Sequence, residues 1–399
     1  MTDRAAPSPV SVTPPVTVTV SADRRRLTVS DERLGLADRF HALWLRDACA
    51  CPACRRPSTG ERLLDPTTVD PDVAIVDVEP IDPDRDRLAI TFTDGHRSTI
   101  TTRFLLDHSP VARDRRSRPM AGRSMWDGTP PAFFERGECD DDMVLRDLVN
   151  TLWHRGAAVV RAVEPTEEGL LSTAALIGHV LPSNYGFTWS IEATVAPVSE
   201  VDSQHGLRVH TDLPYRRSPP GLQLILAATT DVAGGASTLT DGFSMAERLR
   251  VDDPTTWRIL TTVPFVYPYD RPGVSLHGAS PLISLQADGS YRDVRRAPDL
   301  VGSPIVDADD APALYRALAR WSALLDDPAN QAEVRLEVGD VLAFDNHRVL
   351  HGRTAFDLGA AGRRRLLGCY LDIDELANRR AVLNAADDAA AVEGSGSGG

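Results

Sequence analysis

The chain of 399 residues has no apolar run approaching the roughly 18 residues that a membrane-crossing helix needs, so no membrane span is expected. It is short of basic residues: 43 Lys+Arg stand against 57 Asp+Glu, a formal net charge of −14. General nucleic-acid binding, which needs clustered cations to displace phosphate counterions, is therefore excluded as its main business. No apolar signal segment opens the sequence; residues 1–15 are polar and rich in proline, and a soluble, cytoplasmic protein is the expectation. No glycine-rich GxGxxG or P-loop pattern stands where a strand would meet a helix, so no nucleotide cofactor is indicated. Cysteine is scarce. The five are Cys49, Cys51, Cys54, Cys139 and Cys369, an odd count that does not read as a disulfide framework.

What is present is ordinary globular material, with 42% hydrophobic and 25% charged residues. A chain of this length buries a large core, usually more than one. Residues 1–14 read as disordered. Residues 15–108 read as a small antiparallel β domain: VTVTV alternates at 16–20, RLTVS follows a charged turn, and VAIVDVEP and RLAITFTDG are rich in β-branched residues. Residues 109–125 are basic, contain proline and have few apolar residues, which marks a linker. A second domain spans 126–385. It opens on a helix pattern at 143–156 that stops at glycine, and a later helix pattern covers 313–327. Short strands separated by turns, with helices at the edges, predict a mainly β (α+β) jelly-roll domain rather than a parallel α/β sheet. Residues 386–399, ending in GSGSGG, read as a disordered tail.

Three of the cysteines crowd into LRDACACPACRR. Thiolates at Cys49, Cys51 and Cys54 can fill three corners of a zinc tetrahedron, and the fourth ligand must come from elsewhere. His96, in the turn of TFTDGHRS, is the best candidate; His41 and His108 compete. Four protein ligands make a closed, structural zinc site that would staple a small domain. The plain alternative is three reduced thiols in a turn.

A second constellation begins at LRVHTDLPY. On a strand edge His210 and Asp212 project from one face. Two imidazoles and one carboxylate form the facial triad that holds non-haem Fe(II) and leaves three adjacent positions open, suited to a bidentate 2-oxo acid and O₂. The third ligand should lie far along the chain. His351 in NHRVLHGR fits, with His347 as its near competitor. The distal carboxylate of the co-substrate needs a fixed cation. Arg364 suits this, Arg363 and Arg365 alternate with it, and Ser237 in GGAST can add a hydroxyl. A His-x-Asp alone is weak, because histidine beside aspartate is common on any surface. The ordered set of His-x-Asp, distant His and following Arg carries the reading.

These residues carry a family likeness. WLRDACACPAC (44–54), NYGFTW (184–189), VHTDLPY (209–215), GGAS (234–237), NHRVLHGR (346–353) and RRLLGCYLDID (364–374) resemble the γ-butyrobetaine and trimethyllysine hydroxylase branch of the taurine-dioxygenase-like, Fe(II)- and 2-oxoglutarate-dependent oxygenases. The likeness covers residues 15–385. It implies zinc on Cys49, Cys51, Cys54 and His96; a double-stranded β-helix with iron on His210, Asp212 and His351; 2-oxoglutarate held by Arg364; and a homodimer. It further implies hydroxylation of an unactivated C–H of a small cationic or zwitterionic metabolite, with succinate and CO₂ as co-products. Tyr185, Trp189 and Tyr370 match positions of an aromatic cage for a trimethylammonium group, which is drawn to aromatic faces and donates no hydrogen bond. One position departs: where the branch has a further aromatic, this chain has Asp202. A carboxylate there also suits an amine with N–H donors, so an amino acid or aminophosphonate is the alternative substrate. The same cofactors also serve desaturation or C–C cleavage, and a non-catalytic small-molecule sensor is the reading from another class.

Overall fold

The computed structural model describes residues 16–31, 36–82, 87–109, 120, 122–126, 129–193, 203–304, 306–359 and 362–395. The chain divides into two compact units between residues 118 and 119. The expected disordered stretch 1–14 and most of the expected linker lie outside the described residues.

The first unit holds two three-stranded antiparallel sheets. One is built from β1 (Val16–Val20), β2 (Arg26–Asp31) and β3 (Leu36–His41). The other is built from β4 (Ile75–Pro80), β5 (Arg87–Phe92) and β6 (Arg97–Thr101). Their alternating apolar residues meet in one core that includes Leu27, Val29, Ile75, Leu88, Ile90 and Ile100. Two helices that the β-strand pattern does not announce, α1 (Ala42–Asp47) and α2 (Thr102–Asp107), each follow a strand and start on a side-chain cap, His41 and Thr101.

The second unit opens with β7 (Ala132–Glu135) and the expected helix, α3 (Asp142–Arg155). The Asp141 carboxylate accepts the Met143 and Val144 N–H groups at its start, and Gly156, at φ 84°, ends it in the left-handed conformation that glycine adopts without strain. Then come β8 (Ala157–Arg161), α4 (Glu167–Ala174), β9 (Thr188–Glu192), β10 (Leu207–His210) and β11 (Leu222–Thr230). Next are β12 (Ala233–Gly234), β13 (Ser237–Asp241), α5 (Gly242–Asp252) and α6 (Pro254–Thr262). The strands β14 (Phe265–Arg271), β15 (Val274–Ser280), β16 (Ile283–Leu285) and β17 (Tyr291–Val294) form two hairpins. The chain continues with α7 (Ala311–Asp326), β18 (Ala332–Val334), β19 (Val341–Asp345) and β20 (Val349–Arg353). It closes with β21 (Phe356–Asp357), β22 (Arg364–Leu371) and α8 (Ile373–Ser395). This last helix runs on past residue 385, where the sequence pattern predicts a disordered tail. Its alanine-rich stretch is compatible with helix once Ile373 and Leu376 have nucleated it against the sheet.

A six-stranded sheet runs in the order β7-β8-β19-β11-β22-β9, and a four-stranded sheet in the order β10-β20-β13-β18. Strand periodicity sorts the side chains. Ala158, Val160, Leu222, Leu224 and Leu226 face the helices α3, α4 and α8. Their neighbours Ala157, Val159, Ile225 and Ala227 pack with Leu239, Val334 and Val349 of the four-stranded sheet. Both faces of the large sheet are thus buried, so β8, β11 and β19 are mostly apolar, with Gln223 the buried polar break in β11. Each fully buried Val, Leu or Ile contributes on the order of 1.5–3 kcal/mol. The four-stranded sheet carries the histidines on which the site depends.

Candidate active site and cysteine cluster

In the four-stranded sheet His210 ends β10 and stands directly opposite His351 of β20, across an antiparallel pair. The rings lie 4.3 Å apart between centroids. The chain then turns: Leu213 takes φ 51°, a left-handed conformation that costs a branched residue energy and is held by its surroundings. Two clamps supply that hold. The Asp212 N–H donates to Asn346 Oδ1 at 2.9 Å, while Asn346 Nδ2 donates to the carbonyls of Asp212 (3.2 Å) and Pro220 (2.9 Å). On the other side Thr211 N–H donates to the Arg296 carbonyl at 2.8 Å, and the Thr211 hydroxyl to that of Val294 at 2.9 Å.

This geometry aims three donor atoms at one point. Asp212 Oδ1 is 3.3 Å from His210 Nε2 and 3.8 Å from His351 Nε2, and all three donors lie within 4.8 Å of one another. Ligands on adjacent corners around an ion at about 2.1 Å sit about 3 Å apart, so the set fits one transition-metal ion on a single face. The second polar atoms of Asp212 and His210 are already engaged, whereas His351 Nδ1 is buried without a partner among the described residues. Asp212 Oδ2 accepts from Gln223 Nε2 at 2.8 Å and from the Tyr370 hydroxyl at 2.7 Å, which leaves Oδ1 to the ion. His210 Nδ1 faces the Arg208 carbonyl at 3.0 Å, which turns Nε2 inward. Burial works to raise the Asp212 carboxyl, but the two imidazoles and the Tyr370 hydroxyl outweigh it and hold the group ionised, well below the usual carboxylate range. Burial, helped by neighbouring His210, pushes His351 down to about 3, so its ring is neutral with a lone pair to give.

Arg364 opens β22, and its neighbours Arg363 and Arg365 are exposed while it is buried. Arg365 reaches Ser190 instead. Burial first, and the nearby Arg353 cation second, push the Arg364 guanidinium down to about 10. Its carbon lies 5.2 Å from the Phe356 ring centroid, and among the described residues no carboxylate pairs with it. A buried cation without a counter-charge fits an anionic ligand. Ser237 opens β13 directly across from Arg353. His347, the competitor of His351, points away and meets the Pro219 carbonyl at 2.7 Å.

Trp189 of β9 pairs with Gly368 of β22. The indole lies flat over that glycine: a Cβ on Gly368 would come 2.0 Å from Trp189 Cζ2. The Trp189 and Tyr370 rings are 5.8 Å apart, and the buried indole N–H has no partner among the described residues. Tyr185 is 49% exposed, on a turn between Ser183 and Gly186. Asp202 lies outside the described residues. Gln223, Asn346, Tyr215 and Tyr269 go unnoticed in the sequence, because amides and tyrosines are common and only the fold shows what they touch.

In the first unit Cys49, Cys51, Cys54 and His96 bring four donor atoms within 4.8 Å of one another. His96 Nε2 is 3.2 Å from Cys49 Sγ and 3.7 Å from those of Cys51 and Cys54. A zinc tetrahedron with bonds of about 2.0–2.3 Å sets its corners roughly 3.5 Å apart, so the set fits. The competitors are occupied: His41 caps α1, and His108 packs on Phe104 and bonds its carbonyl. Arg46 joins the two ligand turns, donating to Cys54 Sγ at 3.4 Å and to Asp94 at 2.7 Å, while Asp94 accepts the His96 N–H at 3.0 Å.

Residues 130–370 match the family described as "Taurine catabolism dioxygenase TauD, TfdA family", and residues 18–102 match "Gamma-butyrobetaine hydroxylase-like, N-terminal". The chain is 33% identical over 354 residues to a gamma-butyrobetaine dioxygenase of Pseudomonas sp. (strain AK-1), covering 88% of this chain and 91% of that one. It is 29% identical over 390 residues to dioxygenase str8 of Strobilurus tenacellus, covering 91% and 90%. It is 26% identical over 383 residues to a trimethyllysine dioxygenase of Meyerozyma guilliermondii, covering 88% and 92%. With these likenesses spanning both units, the chain belongs to the TauD, TfdA family, in its γ-butyrobetaine hydroxylase-like branch, and is an Fe(II)- and 2-oxoglutarate-dependent dioxygenase.

Proposed function

We propose that the protein hydroxylates a C–H bond of a small metabolite bearing a quaternary ammonium group, of the γ-butyrobetaine type. In this reading His210, Asp212 and His351 hold the iron, and the second unit is a double-stranded β-helix. Bound iron would supply activation of O₂, one oxygen atom of which goes into the C–H bond and the other into the succinate formed as 2-oxoglutarate loses CO₂. The chain's own part is orientation. Gln223 and Tyr370 keep Asp212 ionised and turned inward, and Asn346 fixes its backbone. Arg364, with the Ser237 hydroxyl, grips the distal carboxylate of 2-oxoglutarate as a bidentate ion pair. Tyr185, Trp189 and Tyr370 offer aromatic faces to the ammonium group. Fixing the substrate this way selects which C–H is attacked.

The observation that carries the proposal is the convergence of two imidazoles and one carboxylate on a point, in a chain that also buries an arginine with no carboxylate partner among the described residues. Cys49, Cys51, Cys54 and His96 hold a structural zinc ion, so the first unit is a zinc-binding domain; the four matched donors support this. The homodimeric assembly and cytoplasmic location expected from the sequence stay part of this reading. The test is succinate formation across a panel of trimethylammonium and amino-acid compounds, with mass spectrometry for a product 16 mass units heavier and Asp212→Ala as control. Turnover confined to primary amines would replace the substrate; iron binding without any turnover would favour the sensor.

A further inference from the structure

We propose that Arg295 is a positioning residue for the metal site: by holding the backbone beyond Asp212, it fixes the turn that aims the Asp212 carboxylate at the two imidazoles. The inference rests on the reading above that Asp212 holds the iron. It begins from the turn itself. Leu213 sits at φ 51°, a backbone state that persists where its surroundings over-determine it. A local bond from the Arg216 N–H to the Leu213 carbonyl, at 3.1 Å, closes the turn. The rest of the support comes from far along the chain. Arg295 follows β17 and is buried. Its Nη1 donates to the carbonyls of Pro214 at 2.9 Å and Arg216 at 3.0 Å, and its Nη2 to that of Arg217 at 2.9 Å. Its Nε donates to Asp293 Oδ1 at 2.9 Å. Asp293 is buried too, and also accepts from Arg292 Nε at 2.7 Å and from the Ser284 hydroxyl at 3.2 Å.

The next residue works on the other arm. Arg296 donates to the Val209 carbonyl at 3.0 Å, one residue before His210, and pairs with Asp326 through two bonds of 2.8 and 2.6 Å. Two successive arginines thus hold the two arms of one ligand segment: Arg296 the strand that ends in His210, Arg295 the turn that follows Asp212. The residue type matters. A guanidinium carries five N–H donors in a fixed plane, so it can bridge three carbonyls and a carboxylate at once; an ammonium gathers its three donors at one point and cannot span them. Asp293 supplies the counter-charge that lets the cation stay buried. Arg295 makes no hydrogen bond or ion pair to a metal-ligand side chain. It acts through the backbone from Pro214 to Asp212, where displacing a ligand by about half an ångström is enough to weaken a site.

The experiment uses nickel(II) as the probe, because it binds a given nitrogen and oxygen site more tightly than iron(II) and so stays measurable when a ligand is lost. Its affinity for the full-length, zinc-bearing protein is read by chelator competition in wild type, Arg295→Lys, Asp212→Ala and the double variant. Asp212→Ala should lower the affinity by more than about 30-fold, and Arg295→Lys by about tenfold. In the Asp212→Ala background, Arg295→Lys should change it by less than about twofold, since two imidazoles then hold the ion and no carboxylate is left to aim. A merely structural arginine would lower the melting midpoint and leave nickel affinity unchanged, or reduce it equally in both backgrounds; either result overturns the role of Arg295. Should Arg295→Lys fail to fold, Asp293→Asn carries the same comparison: it is isosteric, still accepts one bond from Arg295, and should lower nickel affinity by about threefold only where Asp212 is present. Nickel affinity unchanged in Asp212→Ala overturns the reading of Asp212 as a ligand and this inference with it. A loss in Asp212→Ala with none in Arg295→Lys overturns the role of Arg295 alone.

Discussion

The first unit gathers four donors, three of them soft thiols, from two turns; the second gathers three donors, two imidazoles from paired strands and a carboxylate from the turn that follows one of them. Four donors saturate a tetrahedral ion and leave no place for a reactant, whereas three on one face leave the opposite positions open. The supports differ accordingly. Around the thiols, Arg46 and Asp94 tie the two ligand turns together. Around Asp212, Gln223 and Tyr370 bind one oxygen so that the other stays free. One site is built to be finished by its metal, the other to remain available beneath it.

The sharpest way to break this contrast is to remove one donor from each site. Asp212→Ala should lower substrate-stimulated succinate formation by more than about 100-fold while zinc content, read by elemental analysis, is unchanged. Cys51→Ser should do the reverse, losing the zinc and lowering the thermal midpoint of the first unit by more than about 10 °C, because metal binding there is folding free energy. If Cys51→Ser instead abolishes succinate formation with zinc retained, the division of roles is wrong. A milder cut is Tyr370→Phe, which keeps the ring and deletes the bond to Asp212 Oδ2; iron affinity, measured by chelator competition, should fall about 10- to 100-fold. Gly368→Ala should displace the Trp189 indole and raise KM for a trimethylammonium substrate about tenfold, with KM for 2-oxoglutarate nearly unmoved. The smallest effect is in thiol labelling at pH 8. Burial pushes the Cys369 thiol up to about 12 and raises that of Cys139, so neither forms thiolate and neither should alkylate in the native protein, whereas chelating the zinc should expose three reactive thiols.

Much of this was legible beforehand where the signal is local. VTVTV alternates and is a strand over the same five residues; Asp141 and Gly156 bracket the helix between them; and three cysteines within six positions can hardly avoid one another. The helix continuing through Ser395 is not legible, because composition says little about a segment that its N-terminal turn anchors to a sheet. Asn346, Gln223 and Tyr269 are not legible for a different reason: a polar side chain acquires a role from its partner, and those partners lie 134, 11 and 84 residues away.

The sequence by itself determined which chemistry was on offer. Residue types have intrinsic ligand preferences, and soft thiols, imidazoles, a carboxylate and a following arginine restrict the metals and co-substrate whatever the fold. Tertiary structure alone shows which of the candidates ranked by the sequence come together: His351 stands with His210 and Asp212 while His347 points away, His96 stands with the three thiols while His41 and His108 are engaged elsewhere, and Arg364 is buried between two exposed neighbours. Those choices turn on strand register and on which face of a strand is buried, and both are settled by packing between segments distant in the chain.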